Sequence, residues 1–482
     1  MDKIAKNYLY NMMYQILVII TPIITAPYLT RVLGATNLGI YSYVNSSGSI
    51  VTTLSLLGIY AYGNRQTAYV RDDREKLTKT FWELEIAHIL LGVVGTLIYI
   101  AYIVFNKEYT FYFLIYYPYI LAQFIDCSWI YVGLEDMKPV VMKNFLTKLI
   151  NIIGIFVFVN SKEDVWIYIL MLAVTTLIAN ITVYSQLPKY IGKPKFDIRS
   201  IPEHIKGSIN LFLPQVASLF YLQVDKVMLE WLTGTTEQVS FYDQAEKIIT
   251  IPLTFITVVS TVMMPRLANE FKKGNKGTIQ NMLIKAGKYT LFMAFPMMVG
   301  LFCIAKQFIP WYLGSEYLST AYAMMILAPI VVLNSLAGLS GTQYFTATNQ
   351  INILMKAYVS AAVINVAVNA VLIPHFGYAG AAISTVLSSL VSVIVQYYNL
   401  SKQIKMRGLI KFGIKYGVCS LMMGAILFTM TFHFGSHLYT TLVQILIGLI
   451  AYMFCMVITK DELLLEILNL LKRKFVKNSG EK

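Results

Sequence analysis

The segment 86–105, IAHILLGVVGTLIYIAYIVF, decides the fold, because its twenty residues include no Asp, Glu, Lys or Arg. An α-helix rises about 1.5 Å per residue, so about twenty apolar residues cross the hydrocarbon core of a bilayer. A run this long and this apolar predicts a membrane-spanning helix rather than a helix in a water-soluble core.

Similar apolar runs recur along the whole chain of 482 residues. Charged residues make up only 13% of it, whereas an ordinary soluble domain is about one quarter charged. We therefore predict an all-α, polytopic membrane protein with about fourteen spans. The predicted spans are 8–30, 40–60, 82–105, 111–132, 141–160, 165–187, 207–232, 244–266, 287–309, 320–345, 353–373, 378–400, 412–434 and 438–458.

The formal net charge of +14 is unevenly distributed. Most of the 39 Lys and Arg residues lie at the two termini or in alternate loops. The opposite loops hold Arg31, Lys107, Lys162 and Lys306. Basic residues mark the cytoplasmic side, so we expect both termini in the cytoplasm. Contacts with anionic membrane lipids explain the basic loops, and we expect no nucleic-acid partner.

Neither the cysteines nor the sequence motifs indicate an enzyme. Cys127, Cys303, Cys419 and Cys455 lie inside apolar spans without C-x-x-C spacing, which is typical of reduced packing residues. The chain has no G-x-S-x-G, Walker A, G-x-G-x-x-G or H-E-x-x-H motif, and its predicted external loops are short. The sequence therefore favours a transporter over an enzyme, with no catalytic residues, cofactor or metal.

Two short segments, separated by six predicted spans, resemble each other. They read GATNLGIY at 34–41 and GTTEQVSFY at 234–242, each a short turn that ends in a tyrosine. Chance similarity is the alternative. An even number of spans gives both halves the same orientation, as in transporters whose repeats are related by an axis along the membrane normal. The predicted parts are two six-helix lobes, 1–190 and 200–400, two further helices in 410–460, and an amphipathic cytoplasmic tail, 461–482.

Charged residues inside the spans are candidates for function, because each costs a few kcal/mol in hydrocarbon. Asp126 and Asp225 would balance basic groups, or take up the H⁺ or Na⁺ that drives transport. The alternative is pairing for structure alone, which is the preferred interpretation for Asp126 with Lys148. The basic candidates to hold a phosphate in a hydrated cavity are Arg31, Lys148, Lys226 and Lys247.

Adjacent charges within one span cannot serve a single ion pair. Asp225 and Lys226 point about 100° apart on a helix, so we expect at least one of them to face a cavity or another helix. Glu83, Glu85 and His88 lie at the inner end of the third predicted span, and we list them as candidates without a role.

Several segments, in the same order along the chain, resemble the Wzx-type bacterial polysaccharide flippases. These belong to the superfamily that also holds the multidrug and toxic-compound (MATE) exporters and the peptidoglycan-precursor flippases. The matching segments are PYLTRVLG at 27–34, GIYS at 39–42, Asn45-Ser46, Leu57-Gly58, YGNRQTA at 62–68, Asp225-Lys226, the turn from Gly234 to YDQA at 242–245, and FGYAGAA at 376–382.

The resemblance implies a MATE-like fold with a central, often cationic cavity. It also implies the cargo, an oligosaccharide on an undecaprenyl-pyrophosphate carrier, flipped from the inner to the outer leaflet of the bacterial cytoplasmic membrane. Capsule or exopolysaccharide repeat units are the leading cargo, and a polysaccharide polymerase is a candidate partner. The alternatives are a teichoic-acid precursor flippase, a multidrug or cation antiporter of the same superfamily, and a membrane-bound enzyme.

Overall fold

The computed structural model describes the backbone of residues 3–431 and 433–465. Side chains are described from residue 17 onwards, except at scattered positions between 210 and 276 and at residue 407. Within these residues every regular element is a helix. The chain divides into two compact units, Met1–Asp243 with Asn369–Gly377, and Gln244–Val368 with Tyr378–Lys482. The lobe boundaries drawn from the sequence stay a prediction.

The first unit contains eight helices and the start of a ninth. Some helices pack against the next one in the chain, as Lys138–Phe158 does against Val165–Tyr184, whereas Lys3–Leu56 also packs against the distant Ile201–Thr233. Its helices are α1 (Lys3–Leu56), α2 (Ile59–Val70), α3 (Arg74–Phe105), α4 (Thr110–Phe124), α5 (Ser128–Gly133), α6 (Lys138–Phe158), α7 (Val165–Tyr184), α8 (Ile201–Thr233) and the beginning of α9 (Thr236–Lys272).

The second unit holds most of α9 and the remaining helices. Residues Leu339–Thr346, which follow directly on the helix Ile330–Gly338, form a π-helix, a form that usually occurs only as a single turn. The helices are α10 (Lys276–Tyr312), α11 (Leu318–Leu327), α12 (Ile330–Gly338), α13 (Ile351–Phe376), α14 (Tyr378–Ser401), α15 (Arg407–Thr431) and α16 (Leu438–Ile458). The last residues of α13 belong to the first unit.

Many of these helices are suited to a bilayer. In the described part of the chain, nine are long and apolar enough to cross it, and the bent pair Ser315–Leu327 and Ile330–Thr346 would make ten. Side chains on their outer faces are apolar and exposed, such as Leu97 and Val104 on α3. The polytopic helical fold is therefore confirmed. The count of fourteen stays a prediction; α1 holds the first predicted span and most of the second, with a non-helical backbone at Gly34 between them.

The two repeated turns both bend at a glycine, and they touch each other. Gly34 and Gly234 have φ angles of 74° and 66°, which an L-residue with a Cβ rarely adopts. The Thr236 hydroxyl donates to the carbonyl of Thr36 at 2.9 Å. The Thr36 hydroxyl donates to Glu237 Oε1 at 2.8 Å. The turns that the sequence marks as equivalent are thus partners in the fold.

Close packing around an aromatic ring joins α2, α3 and α5. Ring contacts join α3 to α5, where Phe81 stacks on Trp129 with centroids 5.4 Å apart. Gly63 lies against the Trp129 ring, so that a Cβ at this position would meet it at 2.7 Å. The core of the first unit is therefore built on aromatic side chains that fill the spaces left by glycine.

The predicted C-terminal amphipathic helix is described only at its beginning. Asp461 accepts hydrogen bonds from the N–H groups of Leu463 and Leu464, as an N-cap residue does. Burial raises the pKa of Asp461, but the hydrogen bond from Lys415 Nζ, 2.7 Å away, and the Leu464 N–H outweigh it and leave the pKa below its usual value. Residues 466–482 lie outside the described residues.

Replacing Gly39 should disrupt the contact between the repeated turns. A Cβ at Gly39 would lie 1.8 Å from the carbonyl oxygen of Thr236, so α1 and α9 must move apart. We expect Gly39→Ala to lower the free energy of unfolding by about 1–3 kcal/mol, measured by thermal unfolding in detergent. The control is Gly300→Ala, where a Cβ meets nothing within 4 Å. Equal melting temperatures for the two variants would contradict the packing.

Candidate functional site

A polar cavity of about 320 Å³ lies inside the first unit. It is enclosed by α1, α4, α6 and α7, and it also reaches the segment between α4 and α5. Asparagine, threonine, lysine and tyrosine side chains dominate its wall, which is unusual for the interior of an apolar bundle. The lining residues are Tyr41, Asn45, Tyr119, Gln123, Asp126, Lys143, Asn144, Thr147, Lys148, Asn151, Leu172, Thr176, Ala179 and Asn180.

Helix α6 supplies the largest share of this wall because its polar residues recur at helical spacing. Residues three or four apart on a helix share one face. The polar positions on this face are Lys143, Asn144, Thr147, Lys148 and Asn151. The outward face of the same helix carries exposed apolar residues such as Leu146, Ile150 and Ile153. Helix α6 therefore has an apolar face suited to lipid and a polar face that lines the cavity.

Asp126 and Lys143 form an ion pair in the cavity wall. Lys143 Nζ lies 3.2 Å from Asp126 Oδ1, and it also donates to Ser128 Oγ at 2.6 Å and Asn180 Oδ1 at 2.8 Å. All three ammonium protons thus have an acceptor. The expected pairing of Asp126 with Lys148 is wrong, because Lys143 occupies that place. Asp126 and Lys143 are positioned to shape the cavity.

Lys148 lines the same cavity without such a partner. It is half-buried on α6, and within the described part of the chain it makes neither an ion pair nor a hydrogen bond through its side chain. Desolvating an ammonium group without an anion is costly. Lys148 is thus the cavity residue best placed to receive an anionic group from outside the protein.

A second charged cluster joins α8 to the start of α9. Lys226 Nζ lies 2.8 Å from Asp243 Oδ1, and the Ser42 hydroxyl donates to Asp243 Oδ2 at 2.7 Å. Asp225 instead accepts from the Tyr242 hydroxyl at 2.7 Å and from the amide of Asn369. Asp225 and Lys226 therefore face different partners, as their angular separation on the helix predicts. Both are buried, at 1% and 8% exposure.

The remaining predicted site residues lie outside the cavity. Arg31 is exposed on α1, and its Nη1 donates to the carbonyl of Pro27 at 2.6 Å. Lys247 is exposed on the part of α9 that belongs to the second unit. Of the six predicted residues, only Asp126 and Lys148 line the cavity. The roles of all six stay predictions.

The sequence interpretation overlooked Lys143, Asn151 and Asn180. Asn180 holds Lys143 and also donates to the carbonyl of Ala122 at 2.7 Å. Asn151 accepts from the Thr175 hydroxyl at 2.8 Å. A signal was available, because polar residues at helical spacing inside the apolar run 141–160 indicate a hydrated face.

A polytopic helical chain with a polar, lysine-containing cavity in its interior has the features of a membrane transporter. Its fold is similar to that of a lipid II flippase MurJ in an inward closed conformation, with a TM-score of 0.74 and 18% identity over 95% of this chain and 99% of that one. It is also similar to an inward-facing multidrug resistance MATE family transporter of the MOP superfamily, with a TM-score of 0.66 and 16% identity, covering 83% and 96%.

Sequence comparison identifies the family. Residues 4–271 match the model described as polysaccharide biosynthesis protein, and residues 143–449 match the model described as lipid II flippase MurJ. The chain therefore belongs to the polysaccharide biosynthesis protein family, as a Wzx-like flippase, which is a transporter.

Curated relatives agree with this assignment. A putative O-antigen transporter of Escherichia coli (strain K12) is 23% identical over 390 residues, which are 79% of this chain and 92% of that protein. A probable low-salt glycan biosynthesis flippase, Agl15, of Haloferax volcanii is 25% identical over 311 residues, 64% of this chain and 63% of that protein.

A double-mutant cycle should show that Asp126 pairs with Lys143. Removing either charge leaves the other without its counter-charge, so Asp126→Asn and Lys143→Met should each destabilise the protein. The double variant should lose less than the sum, with a coupling energy of about 0.5–3 kcal/mol. Thermal unfolding in detergent measures the stability of the two single variants and of the double variant.

Lys148→Met is the matched control for this cycle. Because Lys148 makes no contact with Asp126, its coupling with Asp126→Asn should be close to zero. A larger coupling for Lys148 than for Lys143 would show that Asp126 has the other lysine as its partner.

Proposed function

We propose that the chain flips undecaprenyl-pyrophosphate-linked oligosaccharide repeat units from the inner to the outer leaflet of the bacterial cytoplasmic membrane. The repeat units would serve capsule or exopolysaccharide synthesis, and the flippase would work by alternating access with both termini in the cytoplasm. Support for a lipid-linked glycan as cargo comes from the family and from relatives described as an O-antigen transporter and a glycan biosynthesis flippase.

The observation that carries the proposal is the cavity wall. It combines a set of amide and hydroxyl groups with one cationic side chain, Lys148, that has no partner among the described residues. A lysine ammonium suits a phosphate oxygen. Asparagine and threonine side chains both donate and accept hydrogen bonds, as sugar hydroxyls do. The wall thus offers the two kinds of contact that a sugar phosphate requires.

The physics of the cargo explains why such a surface is needed. Moving a hydroxyl from water into hydrocarbon without a partner costs a few kcal/mol, and an oligosaccharide carries many hydroxyls. The pyrophosphate adds the much larger cost of removing charge from water. A polar surface inside the bundle replaces the lost hydration, while the prenyl chain, being apolar, stays in the lipid.

The charges of this wall disfavour a multidrug antiporter, even though the fold is shared with MATE transporters. An organic cation is held best by an unpaired carboxylate, because the aromatic rings of Tyr41 and Tyr119 in this wall offer only a weaker cation–π contact. The carboxylate in the cavity, Asp126, is already occupied by Lys143 at 3.2 Å. Lys148 would repel a cation, so the cavity suits an anion better.

Arg31, Lys226 and Lys247 remain proposed cargo contacts in a different state of the cycle. Lys226 would have to leave Asp243, 2.8 Å away in this structure, to reach a phosphate. Asp225, held by Tyr242 and Asn369, remains a proposed site for a coupling cation.

Lys148→Met should lower the rate of glycan flipping by at least about tenfold. A charge-assisted hydrogen bond contributes about 1.5–3 kcal/mol, and 1.4 kcal/mol corresponds to tenfold. Flipping is measured in reconstituted vesicles as the protection of a labelled lipid-linked glycan from an external enzyme, at equal protein content. Lys148→Arg should retain most of the rate, because it keeps the charge.

Lys107→Met provides the control for loss of one positive charge. Lys107 is exposed in the short loop between α3 and α4, away from the cavity. Wild-type rates for Lys148→Met, or an equal loss for Lys107→Met, would remove Lys148 from the site.

The choice of cargo separates the leading function from its alternatives. Vesicles containing the protein should translocate a pyrophosphate-linked oligosaccharide and should not accumulate organic cations. Among the residues that the structure describes, the cavity offers an ammonium group without an anion, and its carboxylate, Asp126, is paired. Parallel assays with a fluorescent drug cation and with a lipid-linked teichoic-acid precursor compare the three. Transport of the drug cation without transport of the glycan would refute the proposal.

A further inference from the structure

Two buried titratable groups on α3 have no part in the proposed cargo site. Glu85 and His88 are 2% and 1% exposed and lie one helical turn apart. Their nearest charged atoms, Glu85 Oε2 and His88 Nδ1, are 4.0 Å apart. Neither atom has a hydrogen-bond partner in the described part of the chain. At this separation the two groups do not hydrogen-bond directly, so the charge of each depends on whether it carries a proton of its own.

Hydrogen-bond counting around Tyr184 indicates where that proton resides. The Tyr184 hydroxyl lies within hydrogen-bonding distance of two oxygen atoms, the carbonyl of Ile125 at 2.8 Å and Glu85 Oε1. A carbonyl can only accept, and the hydroxyl has a single proton to donate. If Glu85 were ionised, one of the two acceptors would lack a donor in a buried site, which is costly.

A protonated Glu85 satisfies both Tyr184 and the Ile125 carbonyl. Its carboxyl O–H donates to the Tyr184 oxygen, and the Tyr184 hydroxyl donates to the Ile125 carbonyl. His88 Nε2 lies 3.1 Å from the carbonyl of Gln123, so this nitrogen carries a hydrogen. In the neutral imidazole, Nδ1 then presents its lone pair towards Glu85.

The same geometry provides a place for the proton to go. The carboxyl must first turn its O–H from Tyr184 towards His88 Nδ1 and close the 4.0 Å gap. The O–H bond of Glu85 then breaks as the N–H bond forms, and an imidazolium faces a carboxylate. The other titratable groups around Glu85 and His88 are Cys127 and Tyr184. Asp126, which pairs with Lys143 in the cavity wall, interacts electrostatically with both Glu85 and His88.

The pair lies close to the cavity that the cargo is proposed to use. His88 and Tyr184 bond to the carbonyls of Gln123 and Ile125, which immediately precede Asp126 in the chain. Gln123 and Asp126 themselves line the cavity. A change of charge at Glu85 can therefore alter the cavity wall through the backbone carbonyls of Gln123 and Ile125.

We infer that Glu85, with His88 and Tyr184, forms a proton-binding site in the first unit, and that its proton is exchanged as the cavity binds and releases cargo. The coupling to cargo rests on the proposed function, whereas the proton site itself does not. Binding an anion near Lys148 favours a neutral Glu85, and the departure of the anion favours release of the proton.

Infrared difference spectroscopy of the purified full chain tests the site directly. At neutral pH we expect the C=O stretch of a protonated carboxylic acid, shifted in D₂O, that disappears in Glu85→Gln. Glutamine can repeat the hydrogen bonds of the protonated acid, so the variant should fold normally. Tyr184→Phe should keep the band and move it to higher frequency, because the acid loses its acceptor.

Glu83→Gln is the matched control on the same helix. Glu83 accepts from the N–H of Asp197 at 2.9 Å and faces His204 Nε2 at 3.2 Å. It is therefore surrounded by donors and expected to be ionised. Its replacement should leave the band unchanged. A band that is absent from the wild type, or that survives in Glu85→Gln, overturns the assignment of the proton.

A flipping assay under an imposed pH gradient tests the coupling. One coupled proton changes the equilibrium ratio of flipped to unflipped glycan by up to about tenfold per pH unit. The wild-type rate should therefore respond to the gradient, and the Glu85→Gln rate should not. Glycan flipping that ignores the gradient overturns the coupling alone. An intact carboxyl band in a protein that moves no glycan overturns the proposed function and leaves the proton site standing.

Discussion

A charged group inside a bilayer must be compensated within the protein, and this constraint organises the first unit. Lys143 is compensated by Asp126, and Lys226 by Asp243, each at ion-pair distance. Each pair joins residues 17 positions apart, on successive segments of the chain, and so fixes helices that the apolar lipid cannot hold together by itself. The buried charges therefore specify which helices become neighbours.

Where compensation is incomplete, the structure points to chemistry. Lys148 lacks an anion in the described residues, and Glu85 faces a single imidazole, His88, beyond hydrogen-bonding distance. The protein can tolerate the first only if water solvates the ammonium group or a ligand supplies an anion, and the second only if a bound proton neutralises the carboxylate. Ligand and proton would then be two parts of one electrostatic balance across the same wall.

The sequence predicted the class of fold well because hydrophobic length is a local property. The run 86–105 indicates a span without reference to any other residue, and Gly34 and Gly234 mark turns that the structure places at positive φ. The partner of Asp126 could not be predicted in this way. Lys143 lies in the next apolar run and reaches Asp126 only because the short α5 folds back between them. Pairing depends on tertiary geometry, which spacing along one helix does not contain.

The contact between the two repeated turns shows that similar sequence does not bring similar bonding. Thr36 and Thr236 occupy equivalent positions and touch. The next position is Asn37 in one turn, bonded to the Lys162 carbonyl, and Glu237 in the other, bonded to Thr36. Each turn is therefore fixed by a different partner, so the same substitution in the two turns removes different contacts.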